Sequence, residues 1–242
     1  MNNSNKKYLE NKTYFPVPKH IVIIPDGNRR WAKNKGFISL KGHEKAVEKS
    51  RLEGFIKIAK DIGVKYFSLW GFSTENWKRN EKEKENLFRL FFKVVDELYE
   101  IVHKEKIKFR HLGRKDRLPK NLVNKIISLE KETYDYNEFN VNLCLDYGGR
   151  DEIIRAVNDV LKSGKTEIDE KYFSEFLDTK NIPDPDMIVR TSGEKRLSGI
   201  MPFQGVYAEL FFVDKHFPDF NEDDLYNLIN NFGKRKRRFG GG

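Results

Sequence analysis

Cysteine and long apolar runs are both scarce in this chain, and each scarcity narrows what it can be. A single cysteine, Cys144, stands in 242 residues, so neither an internal disulfide nor a cysteine metal site is available. It lies inside a strand-like run and reads as a buried thiol. No stretch approaches the roughly 18 apolar residues that a membrane span needs. Residues 1–12 are polar and lack the apolar stretch of a signal peptide, so the cytoplasm is the expected compartment. Full disorder is excluded as well, because 38% of the residues are hydrophobic, with 19 Phe and 10 Tyr, enough for the core of one large domain or two small ones.

Positive charge is plentiful. Lys and Arg number 46 against 37 Asp and Glu, a net +9, which asks for an anionic partner: nucleic acid, anionic lipid or a phosphorylated small molecule. Lys234, Arg235, Lys236, Arg237 and Arg238 form one block of five, which leaves +4 on the rest of the chain.

Residues 1–18 read as a polar arm closed by Pro16 and Pro18, followed by one domain over residues 19–242. Ile21 to Ile24 and Val64 to Phe72 are apolar runs of the buried-strand kind. Lys106 to Leu112, Phe139 to Leu145, Asp186 to Arg190 and Leu210 to Val213 complete about six strands. Helical periodicity falls between them. Leu87, Leu90, Phe91, Val94, Val95, Leu98, Ile101 and Val102 form one stripe at 3.6-residue spacing. Shorter stripes run through Val47, Arg51, Phe55, Ile58 and Ile62, stopped by Gly63, and through Leu122, Ile126 and Leu129. Two more contain Ile153, Ile154, Val157 and Leu161, then Leu225, Leu228, Ile229 and Phe232. The alternation predicts an α/β fold: a single domain with a mainly parallel sheet of about six strands, covered by helices on both faces. Ligands then belong beyond the carboxyl ends of the strands.

Four polar segments follow strands. Asp26, Gly27, Asn28, Arg29, Arg30 and Trp31 join a carboxylate to two arginines at a helix start, which suits a diphosphate carried with Mg²⁺; the plainer alternative is a turn with an Asp cap. Phe72 to Arg79 mixes hydroxyl, carboxylate, amide and guanidinium groups. Asp146 to Arg150 contains Tyr147, Gly148 and Gly149, and Arg190 to Ser198 offers cations and hydroxyls for a second diphosphate. Ser163 to Thr166 imitates the end of a P-loop, but Asp159 stands where the first glycine belongs and a helix precedes it. Asp223 and Asp224 suit the start of the last helix.

Taken in order, HIVIIPDGNRRWAK from His20, Gly42 with His43, FSTENWKR from Phe72, YGGR from Tyr147, RTSGEKRLS from Arg190 and YAEL from Tyr207 resemble the cis-prenyltransferase family. The resemblance runs from about Pro18 to the C-terminus. It implies a homodimeric α/β enzyme that adds isopentenyl diphosphate to an allylic diphosphate with Mg²⁺, creating cis double bonds. Asp26 is then the catalytic, metal-associated aspartate and Glu209 the second metal-site acid. Gly27, Asn28, Arg29, Arg30 and His43 belong to the allylic side. Ser73, Arg79, Arg190, Arg196 and Ser198 belong to the isopentenyl side, with Trp77 against the hydrocarbon, and Trp31, Ser39, Thr74, Glu75 and Leu197 are further substrate-binding residues. Asn76 matches the residue usually given as the proton acceptor, although a neutral amide suits orientation better than proton abstraction. Arg238 and Gly240 match an Arg-x-Gly tail that reaches a partner subunit's site.

Ser39 stands where an arginine is frequent, with Lys41 nearby, and Lys195 stands where a histidine is frequent and cannot ligate a metal. Gly71 is expected to leave room in a product tunnel flanked by Phe88, Phe91 and Phe92. The product expected is a long polyprenyl diphosphate such as undecaprenyl diphosphate, a glycosyl-carrier precursor, made from a farnesyl or geranylgeranyl starter. The basic tail then serves peripheral membrane contact and no nucleic acid. The alternative function is a non-catalytic partner subunit that binds polyprenyl diphosphates.

Overall fold

Each of the six apolar segments forms a strand, and every strand pair is parallel. The computed structural model describes residues 16–237. The strands are β1 (His20–Ile24), β2 (Tyr66–Ser73), β3 (Ile107–Leu112), β4 (Phe139–Tyr147), β5 (Met187–Arg190) and β6 (Glu209–Phe212), in the order β3-β4-β2-β1-β5-β6. The helices are α1 (Asn28–Asn34), α2 (Ser39–Ala46), α3 (Lys49–Ile62), α4 (Glu81–Glu105), α5 (Lys120–Glu132), α6 (Gly149–Lys162), α7 (Glu170–Ser174) and α8 (Glu222–Gly233). Of the expected arm, residues 1–15 lie outside the described residues, and residues 16–19 form neither helix nor strand.

The protein is a single α/β domain. The larger core layer lies between one face of the sheet and α3, α4, α5 and α8, with Phe55, Leu98, Ile126 and Leu225 among its buried residues. Val22, Leu112, Cys144 and Ile188 pack on the other face against Ile200 and Met201. Burial on both faces explains why β1 reads as an unbroken apolar run. In β4, Asn142 shares the buried row with Cys144; its amide donates to Ser68 Oγ at 2.9 Å, and the His20 ring meets the same oxygen at 2.8 Å.

The stripe expected to face the core from α6 does the opposite. Ile154 and Leu161 are 60% and 67% exposed, whereas Glu152, Ala156 and Val160 point inward. A polar anchor sets this rotation. The buried Glu152 carboxylate accepts from Tyr147 O–H at 2.6 Å, Gln204 Nε2 at 3.0 Å and the Asp178 N–H at 3.0 Å, and that network outweighs burial of the aliphatic stripe.

Candidate active site

The sheet order brings two distant segments together. The chain leaves β1 toward β2 on one side, and β5 lies on the other, with Ile24 opposite Arg190 at the carboxyl ends. This is the topological switch point where open α/β sheets bind ligands. Arg190 Nη2 donates to Asp26 Oδ2 at 2.8 Å, and Arg190 Nη1 donates to Ser198 Oγ at 2.7 Å. The Asp26 N–H donates to Thr191 Oγ1 at 2.9 Å, and Thr191 Oγ1 returns a bond to the Asp26 carbonyl at 2.8 Å. Partial burial pushes the Asp26 carboxyl up. The Arg190 hydrogen bond, the Gly27 N–H and the charges of Arg190 and Arg30 outweigh it, and the group titrates below the usual aspartate range.

Gly27 begins α1 at φ 91°, and a Cβ there would meet Ser192 Oγ at 2.5 Å and His216 Nδ1 at 2.6 Å. Those two groups are themselves bonded at 2.7 Å, so the turn fits closely against the β5 loop. That loop is conformationally strained: Ser192, Ser198 and Met201 all hold positive φ. Gly42 abuts the Asn28 carbonyl and lets α2 approach α1, which places His43 at the pocket.

A cavity of about 1120 Å³ opens here. Its wall unites Asp26, Gly27, Asn28, Arg29 and Arg30 with Ser39 and His43. Ser73, Glu75, Asn76 and Arg79 enter from the end of β2, and Arg190, Arg196 and Ser198 from the end of β5. Lys33, Phe37, Ile38, Trp70 and Leu87 also line it and were not singled out from the sequence; Phe37 and Ile38, two apolar residues in a polar stretch, were the available signal.

Two carboxylates bridge the arginines. Glu194 lies between Arg30 at 2.7 Å and Arg196, and Glu83 between Arg79 at 3.0 Å and Arg29 at 3.6 Å. Three buried polar atoms of the wall lack a protein partner: Asn28 Oδ1, His43 Nε2 and Arg190 Nε. Burial, then the charges of Arg79 and Arg29, lowers the His43 pKa to about 4, so the ring is neutral at neutral pH.

Several expected site residues lie elsewhere. Trp31 is buried under α1 and donates its indole N–H to Asp219 at 2.7 Å. Thr74 packs against Gly148, and the Gly149 N–H donates to the Gly199 carbonyl at 2.8 Å, so the Tyr-Gly-Gly segment is the seam between two site loops. Leu197 packs with the smaller core layer. Trp77 turns away from the cavity: its N–H donates to the buried Asp146 carboxylate at 2.7 Å, and its ring packs edge-on to Phe72 at 5.6 Å and beside Phe88 at 5.4 Å. The aromatic ring gains more from that cluster than from the polar crevice.

Asn76 Oδ1 caps the Ser73 N–H at 3.1 Å and so fixes the Thr74–Lys78 3₁₀ turn. Gly71 lines the cavity, and a Cβ there would meet Leu145 Cδ2 at 2.8 Å and Phe91 Cε1 at 3.1 Å, so the glycine also serves close packing. Glu209 opens β6 opposite Met187, three residues below Arg190 and about 10 Å down the sheet, and its carboxylate pairs with Arg235. A pairing of Glu209 with Asp26 is therefore not formed within one chain, because both strands run in the same direction. Arg238 and Gly240 lie outside the described residues.

A parallel sheet with two arginine clusters and one low-pKa carboxylate at its switch point defines an α/β enzyme of phosphorylated substrates. Comparison with known proteins makes this specific. The prenyltransferase family described by undecaprenyl diphosphate synthase matches residues 24–240. An isoprenyl transferase of Thermotoga maritima is 41% identical over 93% of this chain and 97% of its own length. A Pyrococcus horikoshii tritrans,polycis-undecaprenyl-diphosphate synthase, described as geranylgeranyl-diphosphate specific, is 40% identical over 97% of this chain and 92% of its own. The lavandulyl diphosphate synthase of Lavandula x intermedia, solved with dimethylallyl diphosphate, superposes with a TM-score of 0.88 at 32% identity, covering 93% of this chain and 98% of that one.

The chain belongs to the undecaprenyl diphosphate synthase family of cis-prenyltransferases. It is a transferase of prenyl groups that elongates cis-prenyl chains, and the non-catalytic alternative finds no support among these relatives.

Proposed function

We propose that this enzyme condenses isopentenyl diphosphate repeatedly onto farnesyl or geranylgeranyl diphosphate, giving a long polyprenyl diphosphate such as undecaprenyl diphosphate for use as a carrier lipid. The carrying observation is Asp26 held between Arg190 and Arg30 where two arginine clusters face each other across one crevice. The Gly27–Arg30 turn, Ser39 and His43 hold the allylic diphosphate. Ser73, Arg79, Arg190, Arg196 and Ser198 hold isopentenyl diphosphate. Each diphosphate displaces a bridging carboxylate, Glu194 or Glu83, from its arginines. The unpartnered Arg190 Nε supplies a donor for it.

In the step itself, the allylic C–O bond breaks, a C–C bond forms to the isopentenyl double bond, and a proton leaves the isopentenyl unit. Charge develops on the departing diphosphate, where Arg29, Arg30 and the free N–H groups of the first turn of α1 stabilise it. Asn76, already engaged with Ser73, orients the turn, while a diphosphate oxygen is the stronger acceptor for the proton.

Mg²⁺ fits this donor set as an ion shared with substrate. Among the described residues no cluster of three acidic, His or Cys side chains could hold a metal, and Mg²⁺ is commonly bound by one or two carboxylates plus substrate phosphates. Asp26, ionised by its arginines, would hold it, and the ion would neutralise diphosphate charge.

The active form is a homodimer in this reading. Edge strand β6 follows the 69%-exposed Val206, and α6 leaves Ile154 at 60% exposure; an open edge beside apolar surface suits a second copy. Such a copy is also the route by which Glu209 and the tail would bear on an Asp26 site. No helix among the described residues is long and apolar enough to cross a membrane; in this reading the protein works in the cytoplasm, in peripheral contact with lipid.

The test is incorporation of labelled isopentenyl diphosphate into an extractable lipid with each starter and Mg²⁺, followed by mass spectrometry. Asp26→Ala is expected to lower turnover by at least about a hundredfold. No incorporation from any allylic starter, or an Asp26→Ala variant as active as wild type, overturns the proposal.

A further inference from the structure

We infer that the turn between α1 and α2, carrying Phe37 and Ile38, docks on an anionic lipid bilayer and forms the lip through which the prenyl chain passes. This rests on the transferase function proposed above and extends it to the place of lipid exchange. Lys33 to Ser39 are seven consecutive exposed residues. Phe37 is 52% and Ile38 70% exposed, yet neither hangs on a loose loop. The Phe37 N–H donates to the Ala32 carbonyl at 2.8 Å, Gly36 turns the chain at φ 71°, and the Phe37 ring lies 6.0 Å from Trp31. The backbone thus fixes two large apolar side chains in water, at a cost that a lipid surface would remove.

Their surroundings point to the occupant. Between residues 29 and 45 stand Arg29, Arg30, Lys33, Lys35, Lys41 and Lys45, against Glu44 alone. Outside this segment and the basic tail the chain is nearly neutral, so the +9 excess resides in these two places. Arg235 of the tail is engaged on Glu209 and Arg237 on Asp186; in the lip segment Arg29, Arg30, Lys41 and Lys45 also pair with acids, while Lys33 and Lys35, which flank the turn to Phe37, make no ion pair among the described residues. Lysines around a pair of apolar residues match an interface of anionic headgroups over acyl chains. Phe37 and Ile38 also line the mouth of the diphosphate cavity, together with Lys33 and Ser39. A polyprenyl chain leaving the crevice past this lip would enter the bilayer without crossing water.

Vesicle sedimentation tests this with the full chain and no isoprenoid present, using phosphatidylcholine vesicles with and without phosphatidylglycerol at low and high salt. Wild type is expected to bind only the anionic vesicles, more weakly at high salt. Phe37→Ser with Ile38→Ser is expected to lower binding at least about tenfold. Lys35→Gln with Lys41→Gln, which avoids the cavity wall, is expected to lower it about thirtyfold at low salt. Lys234→Gln with Lys236→Gln is expected to change it less than about twofold.

Thermal unfolding monitors folding, and if the serine variant fails to fold, the lysine pair carries the test. Wild-type binding by folded lip variants, or loss of binding confined to the tail variant, overturns the proposal. So does a lip variant that dissociates the dimer while still binding vesicles, since the lip would then be a contact between copies. An inactive chain that still binds vesicles through the lip would refute the transferase function alone. An active chain whose lip variants bind like wild type would refute the lip alone.

Discussion

Replacing Asp146 probes how the Phe72–Arg79 segment is held in place. The Asp146 side chain is fully buried and accepts the Trp77 indole N–H at 2.7 Å and Arg117 Nε at 2.8 Å, with Arg117 Nη2 completing a bidentate pair. Arg117 and Lys84 also lie over the indole, 5.5 and 5.4 Å from its centre. Asp146→Ala would leave a buried donor without a partner, costing about 1–3 kcal/mol. The lost ion pair adds about 1 kcal/mol, discounted because Arg117 is 36% exposed and water screens it.

The position holds φ 51°, where alanine adds about 1 kcal/mol of strain and asparagine little. The alanine variant should therefore lose about 4 kcal/mol in all. The asparagine variant, which keeps an acceptor for Trp77, should lose about 1 kcal/mol. For a domain of this length that is a fall in Tm of about 8–16 °C against about 2–4 °C. Because Trp77 sits inside the turn that presents Ser73 and Arg79, KM for isopentenyl diphosphate should rise in the alanine variant more than kcat falls. Equal Tm losses in the two variants would refute the hydrogen-bond argument, and a large Tm loss with unchanged KM would refute positioning through Trp77.

Acid lability follows from three buried histidines. Burial leads in lowering the pKa of His20 and His43 to about 4 and of His111 to about 3, from 6.5. The unfolded chain takes up protons that the folded chain refuses, so stability is full above about pH 6.5 and falls toward pH 4, by about 2–3 kcal/mol per histidine near pH 4.5. Denaturant midpoints between pH 7.5 and 4.5 should show that slope, and His43→Asn should flatten it; a flat wild-type profile would refute it. Gly27→Ala forces a Cβ onto Ser192 and His216 at positive φ, so turnover should fall at least about a hundredfold as Asp26 shifts. A Gly27→Ala variant with wild-type kinetics would show that the turn tolerates displacement.

Some of the fold was legible because local patterns encode burial. The runs Ile21 to Ile24 and Phe139 to Leu145 announced buried strands, and Gly63 announced the end of α3 at φ 109°. The candidate site was legible as four segments after strands: polar residues of three of them line one cavity, and Asp146 to Arg150 contributes none to its wall. What periodicity misjudged was orientation. Ile154 and Leu161 face outward because Glu152 has three partners inside, and Trp77 faces inward because Asp146 awaits its N–H. Both outcomes depend on partners remote in sequence, which a window of neighbouring residues does not contain.

The sequence by itself determined the strand and helix alternation, the excess of cations and the family, since hydrophobic period and motif order are local properties of the chain. Only the tertiary structure decided that Asp26 meets Arg190 across 164 positions, that Glu209 stands at the far end of the sheet, and that Phe37 and Ile38 rim the cavity. The reason is physical: the strand order β3-β4-β2-β1-β5-β6 is fixed by hydrogen bonds and packing between distant segments, and it is that order which aligns the ends of β1 and β5 into one site.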